Sequence, residues 1–136
     1  MMNNNYKSLS HCKYLVQYHL VWCPKFRFEV INGNIKKSLK NIFADICNKY
    51  QYGILELEVM PDHIHIFLSA KPTVAPTDIV RTLKSISAIK LFKEYPKLKK
   101  FYARCGSLWS KGYFVSTIGN VSSQTIKRYI QNQNSN

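Results

Sequence analysis

ILELEVMPDHIHIFLSA, residues 54–70, contains two runs that alternate apolar and polar residues on either side of Met60-Pro61-Asp62. Alternation with period two marks strands with one buried face, and so short a connection joins antiparallel neighbours. The stretch therefore predicts a hairpin. Its second strand places Ile64, Ile66 and Leu68 on one face and His63 and His65 on the other.

Upstream, Lys13 to Trp22 is rich in β-branched and aromatic residues and stops at Cys23-Pro24, which predicts a first strand. Ile35, Leu39, Ile42, Phe43, Ile46 and Tyr50 recur at helical spacing, so an amphipathic helix is expected from about Ile35 to Tyr50, ended by Gly53. Downstream, Pro76 suits a first helical position, and Ile79, Val80, Leu83 and Ile86 predict a second helix running to about Tyr95-Pro96. After the basic segment KLKKFYARCG, the run YFVSTI predicts a fourth strand, and GNVSS introduces a last helix over roughly residues 123–133.

The order β-α-β-β-α-β-α matches an α+β, ferredoxin-like (split βαβ) fold: an antiparallel sheet with helices on one face, plus an added C-terminal helix. The 136 residues form one expected domain behind a polar arm over residues 1–12.

Twenty Lys and Arg against seven Asp and Glu give a formal charge of +13. That imbalance favours polyanionic partners, nucleic acid first. No apolar run is long enough to span a bilayer and the amino-terminal residues lack a signal-peptide core, so a soluble, cytoplasmic protein without a membrane partner is expected. Cys12, Cys23, Cys47 and Cys105 form no C-x-x-C pair, which argues against a zinc ribbon or a redox motif.

His63 and His65, two apart on a strand, are spaced to share one metal ion while leaving coordination positions open. A bare H-x-H also suits ordinary exposed strand residues, so a third ligand is needed. Asp62, Glu56 and Glu58 are close in sequence or on the neighbouring strand, but Asp62 suits a turn cap and the glutamates suit a solvated face. His11 and His19 form no comparable pair. On the last helix, Tyr129 and Gln133 stand one turn apart on the same side. A basic protein with a two-histidine half-site and a tyrosine near an amide has the parts for nucleophilic attack on a phosphodiester.

HIH is a His-hydrophobe-His motif, and together with YHLVW-x-PKFR, LEVMPDHIH, SLWSKGYFVSTIGNVS and TIKRYIQNQ it resembles the single-tyrosine HUH transposases of the insertion-sequence 200/605 type, from about Lys13 to Gln133. The resemblance implies that His63, His65 and Gln133 hold a divalent metal, Mg²⁺ or Mn²⁺, and that Tyr129 is the nucleophile. It implies cleavage and rejoining of single-stranded DNA beside hairpins at element ends through a 5′-phosphotyrosine, with no nucleotide cofactor. It further implies a homodimer with composite active sites, in which the last helix of one subunit serves the histidines of the other.

Lys25, Arg27, Lys84 and Lys90 are expected contacts to the DNA backbone on charge and placement. Where many relatives carry Lys-Gly-Arg/Lys-Ser, this chain has Lys84-Ser85-Ile86-Ser87, which puts DNA contacts there in doubt. Two rival readings are a non-catalytic module that binds single-stranded nucleic acid by stacking and a host-domesticated single-tyrosine nuclease.

Overall fold

A computed structural model describes residues 16–117 and 129–132. Within them run β1 (Val16–Trp22), α1 (Gly33–Tyr50), β2 (Gly53–Met60), β3 (His63–Ala70), α2 (Pro76–Glu94), α3 (Pro96–Phe101) and β4 (Phe114–Thr117). Residues 129–132 are helical. The four strands form one sheet in the order β2-β3-β1-β4, and all three pairings are antiparallel. This is the expected ferredoxin-like arrangement.

The hairpin forms as the alternation predicts, with Val59 opposite Ile64 and Leu57 opposite Ile66. A register shift falls between Ile54 and Glu56. Next to it, Gly53 meets the incoming strand so closely that a Cβ there would lie 2.6 Å from the Ser69 hydroxyl. A side chain at this position would have to displace the Ser69 hydroxyl, which glycine leaves in place.

Leu20, Trp22, Ile64, Ile66 and Leu68 are fully buried and join Leu39, Phe43, Ile79, Leu83 and Leu91 of the two long helices in one core. Trp22 meets Phe43 and Trp109 edge-on, at ring distances of 5.8 and 5.9 Å. Edge-to-face packing suits the aromatic quadrupole.

The expectations for the first two helices are met with one addition. The second helix ends at Glu94, and a further short helix, α3, follows it directly. Pro96 occupies the first turn of α3, where its missing N–H costs no hydrogen bond, so the proline read as a stop also restarts a helix. The first strand is described from Val16 on; its expected start at Lys13, the polar arm and most of the expected last helix lie outside the described residues.

Candidate active site

β3 turns His63 and His65 to the sheet face opposite the core, both partly buried, while the alternate residues Ile64 and Ile66 are fully buried. Each imidazole has a carboxylate at the same ring nitrogen. His63 Nδ1 lies 2.9 Å from Asp62 Oδ1, and His65 Nδ1 lies 3.4 Å from Glu58 Oε1 on the paired strand. A carboxylate accepting from Nδ1–H fixes the proton there and leaves the Nε2 lone pair to a ligand. Two histidines prepared in this way fit a divalent metal's donor set. Among the described residues no group of three His, Cys, Asp or Glu completes it, and the expected third ligand, Gln133, lies outside them.

Asp62, anticipated as a turn cap, instead spans two side chains. Its Oδ2 stands 3.5 Å from Arg27 Nε while Oδ1 holds His63. Arg27 is thus tied to the histidine pair through one carboxylate, and its Nη1 donates to the Ile130 carbonyl at 3.0 Å. A single guanidinium therefore joins the histidine strand to the helical turn that carries Tyr129.

Sequence reasoning passed over His19. The β1–β3 register sets it opposite Phe67, two pairs along from Val21 and His65 and so on the same face. Its ring stacks on Phe67 at 4.2 Å and 8°, and its Nδ1 approaches His65 Nε2 to 3.4 Å. Burial, aided by the charge of His65 and opposed by Glu56, lowers its pKa. A neutral His19 can donate from Nδ1 to His65. This neighbour depends on the pairing of strands far apart in sequence, so spacing alone could not reveal it.

Tyr129 rests against β4 of its own chain, its ring 5.9 Å from Phe114 and tilted 53°. Phe114 pairs with Val21, and Val21 with His65, so the tyrosine shares the histidine face from two strands away. That offset is roughly 10 Å of sheet. The hydroxyl is buried with no hydrogen-bond partner among the described residues. Burial, with a smaller contribution from Cys23, pushes the phenol above its ordinary pKa.

Gly112 approaches the same hydroxyl, since a Cβ there would come within 3.9 Å of it. Lys84 holds this segment in place. Its ammonium donates to the carbonyls of Ser110 and Gly112, both at 2.8 Å. Burial lowers the Lys84 pKa to about 8.

Of the four residues expected to contact DNA, Arg27 is engaged at the site and Lys84 in the fold. Lys25 Nζ lies over the Phe26 ring at 5.5 Å, and Lys90 is exposed on α2. No described helix is long and apolar enough to cross a membrane.

Comparison with known proteins gives a consistent result. Residues 12–133 match the model of a family described as "Transposase IS200 like". The chain is 40% identical over 121 residues to the ISDra2 transposase TnpA of Deinococcus radiodurans, covering 88% of this chain and 85% of that protein. It is 32% identical over 127 residues to the transposase for insertion sequence element IS200 of Salmonella typhimurium, covering 93% and 82%. A crystal structure of a candidate transposase from Deinococcus radiodurans R1 superposes with a TM-score of 0.86 at 35% identity, covering 93% of this chain and 97% of that one. A tyrosine transposase bound to a REP hairpin shares the fold, with a TM-score of 0.52 at 13% identity over 90% of this chain and 68% of that one.

Proposed function

From the premise that the chain belongs to the IS200-like transposase family, we propose that it cuts and rejoins single-stranded DNA at insertion-element ends through Tyr129. The observation that carries this reading is the histidine pair, each ring with its Nδ1 against a carboxylate, so that a metal would be taken by the Nε2 atoms, at His65 in exchange for the contact with His19. An ordinary solvated strand does not need two such arrangements side by side.

The chemistry follows from these groups. Tyr129 Oη forms a bond to the scissile phosphorus and gives up its proton, while the bond to the 3′ oxygen breaks. The products are a 5′-phosphotyrosine and a free 3′-OH. Because the phosphoester is exchanged and not hydrolysed, a later 3′-OH can attack it, rejoin the strand and release the tyrosine. No nucleotide cofactor is consumed.

His63 and His65, with Gln133, would hold the divalent ion. Mg²⁺ or Mn²⁺ bound there supplies positive charge to the phosphate oxygens and the leaving oxygen. Neutral ligands leave that charge undiminished, and imidazole favours Mn²⁺ in binding strength. Asp62 and Glu58 orient the two rings, and Arg27 adds a fixed cation beside the strand.

In its docking on β4, Tyr129 is shielded and neutral, which suits a nucleophile held back from reaction. We assign the active arrangement to a homodimer in which the helix of one subunit brings its tyrosine to the histidines of the other. The substrate is a single strand next to a hairpin, consistent with the hairpin bound by the structural relative.

The test is a cleavage assay with end-labelled single strands carrying the flanking element ends, with and without Mg²⁺ or Mn²⁺. The expected result is a metal-dependent protein–DNA adduct that survives denaturing gel and is lost in Tyr129→Phe. Binding without any adduct would instead favour the non-catalytic stacking module.

A further inference from the structure

Next to Arg27 the chain presents aromatic rings to solvent. Phe26, Phe28 and Phe101 are 44%, 45% and 57% exposed. They touch in sequence, with Phe26 5.6 Å from Phe28 and Phe28 5.4 Å from Phe101. With Tyr102, Arg104 and Cys105 they line a shallow pocket of about 300 Å³.

The backbone beneath is unusual. Phe26 and Arg27 are consecutive non-glycine residues with φ of 62° and 53°, a region that a Cβ disfavours. The surroundings hold it there: Arg27 N–H donates to the Pro24 carbonyl at 2.8 Å, Lys25 N–H to the Leu108 carbonyl at 2.7 Å, and the Tyr102 hydroxyl to the Lys25 carbonyl at 3.1 Å. This turn sends Arg27 toward Asp62 and the Ile130 carbonyl while the phenylalanines on either side face water. Strain maintained by this many bonds points to a use.

Charge identifies the partner. Lys97, Lys99, Lys100 and Arg104 are all exposed around Phe101, and Lys25 sits over Phe26. The last carboxylate side chain of the sequence is Glu94, and Glu29 beside Phe28 is the acid flanking the cluster. Exposed rings interleaved with cations match single-stranded nucleic acid, whose bases stack on aromatics while its phosphates meet the lysines. Duplex DNA keeps its bases stacked internally and has no use for such a surface.

We infer that Phe26, Phe28 and Phe101 form a stacking platform for the bases of single-stranded DNA adjoining the scissile phosphate, with Lys99, Lys100 and Arg104 along its backbone. This rests on the proposed single-strand substrate. Because Arg27 belongs to the same turn, a strand lying on the platform leads directly to the histidine pair.

The experiment measures fluorescence anisotropy of a labelled mixed-sequence single strand with the full chain carrying Tyr129→Phe, which removes covalent capture. Phe101→Ala and Phe101→Leu are each expected to weaken binding about tenfold, and Phe101→Trp to preserve it. A 2-aminopurine base placed beside the cleavage site should be quenched on binding and recover in Phe101→Leu.

Unchanged affinity in a folded Phe101→Leu protein overturns the platform, as does a lower oligomeric mass, which would make the surface an interface between copies. The adduct assay with unmodified Tyr129 separates the two readings. Adduct formation with unaltered Phe101→Leu binding removes the platform alone, whereas weakened binding without an adduct keeps the platform and removes the cleavage reading.

Discussion

The two faces of the sheet are built from the same strands yet follow different logic. On the inner face Leu20, Ile64, Ile66 and Leu68 are fully buried against two helices, and any apolar residue of similar volume would serve there. On the outer face His19, His63, His65 and Phe67 are partly buried, and specific pairs set the rings: Asp62 with His63, Glu58 with His65, and His19 with His65. The inner face is redundant and supplies stability. The outer face depends on individual atoms and supplies little stability, which is the division expected when a rigid scaffold presents a reactive site.

Paired substitutions on β3 should separate the faces most widely. His65→Ala is expected to lower adduct formation by about 1,000-fold, in line with loss of electrostatic stabilisation at a reacting centre, while changing stability by less than about 1 kcal/mol. Its neighbour Ile66→Ala should cost about 2–5 kcal/mol in urea denaturation, and its folded fraction should still form the adduct. If His65→Ala unfolded the protein and Ile66→Ala did not, the assignment of the two faces would be reversed.

Asp62→Asn sharpens the same comparison within the outer face. The carboxylate holds His63 and Arg27 together, so its loss should weaken metal affinity about 10- to 100-fold, read by Mn²⁺ titration. A wild-type titration curve would reduce Asp62 to a surface ion pair.

Lys84 yields the smallest effect and decides whether it serves the fold or the DNA. Lys84→Met should lower stability by about 1–3 kcal/mol through the unpaired carbonyls of Ser110 and Gly112. The salt dependence of DNA binding should be unaltered, whereas loss of a phosphate contact would reduce its slope by about 1. The pH dependence has a defined sign. Burial lowers the folded pKa to about 8 from 10.5, so the folded state binds fewer protons between those values. Wild-type stability relative to Lys84→Met should therefore rise as pH climbs from 8 toward 10.5 and fall again as pH drops through 8.

Periodicity carried most of the fold. The HIHIFL and ILELEV alternation and the Ile35-to-Tyr50 spacing each correspond to a described element, because burying one face imposes a regular pattern. α3 was not legible, since Tyr95-Pro96 reads equally well as an end or a start. At the site His63 and His65 were visible because they are two apart on one strand. His19 was not, because its approach to His65 depends on strand register. The roles of Asp62 and Arg27 were likewise hidden, as was the phenylalanine surface, which arises from two left-handed residues that no periodicity announces.

The central claim concerns one oxygen atom among nine tyrosines. Its most direct test is to form the adduct on a single-stranded element end, digest both components and locate the nucleotide remnant by tandem mass spectrometry. The account predicts a phosphonucleotide on the peptide containing Tyr129, attached through the tyrosine oxygen and absent when metal is chelated. A remnant on any other residue, or cleaved DNA without a covalent remnant, would contradict it.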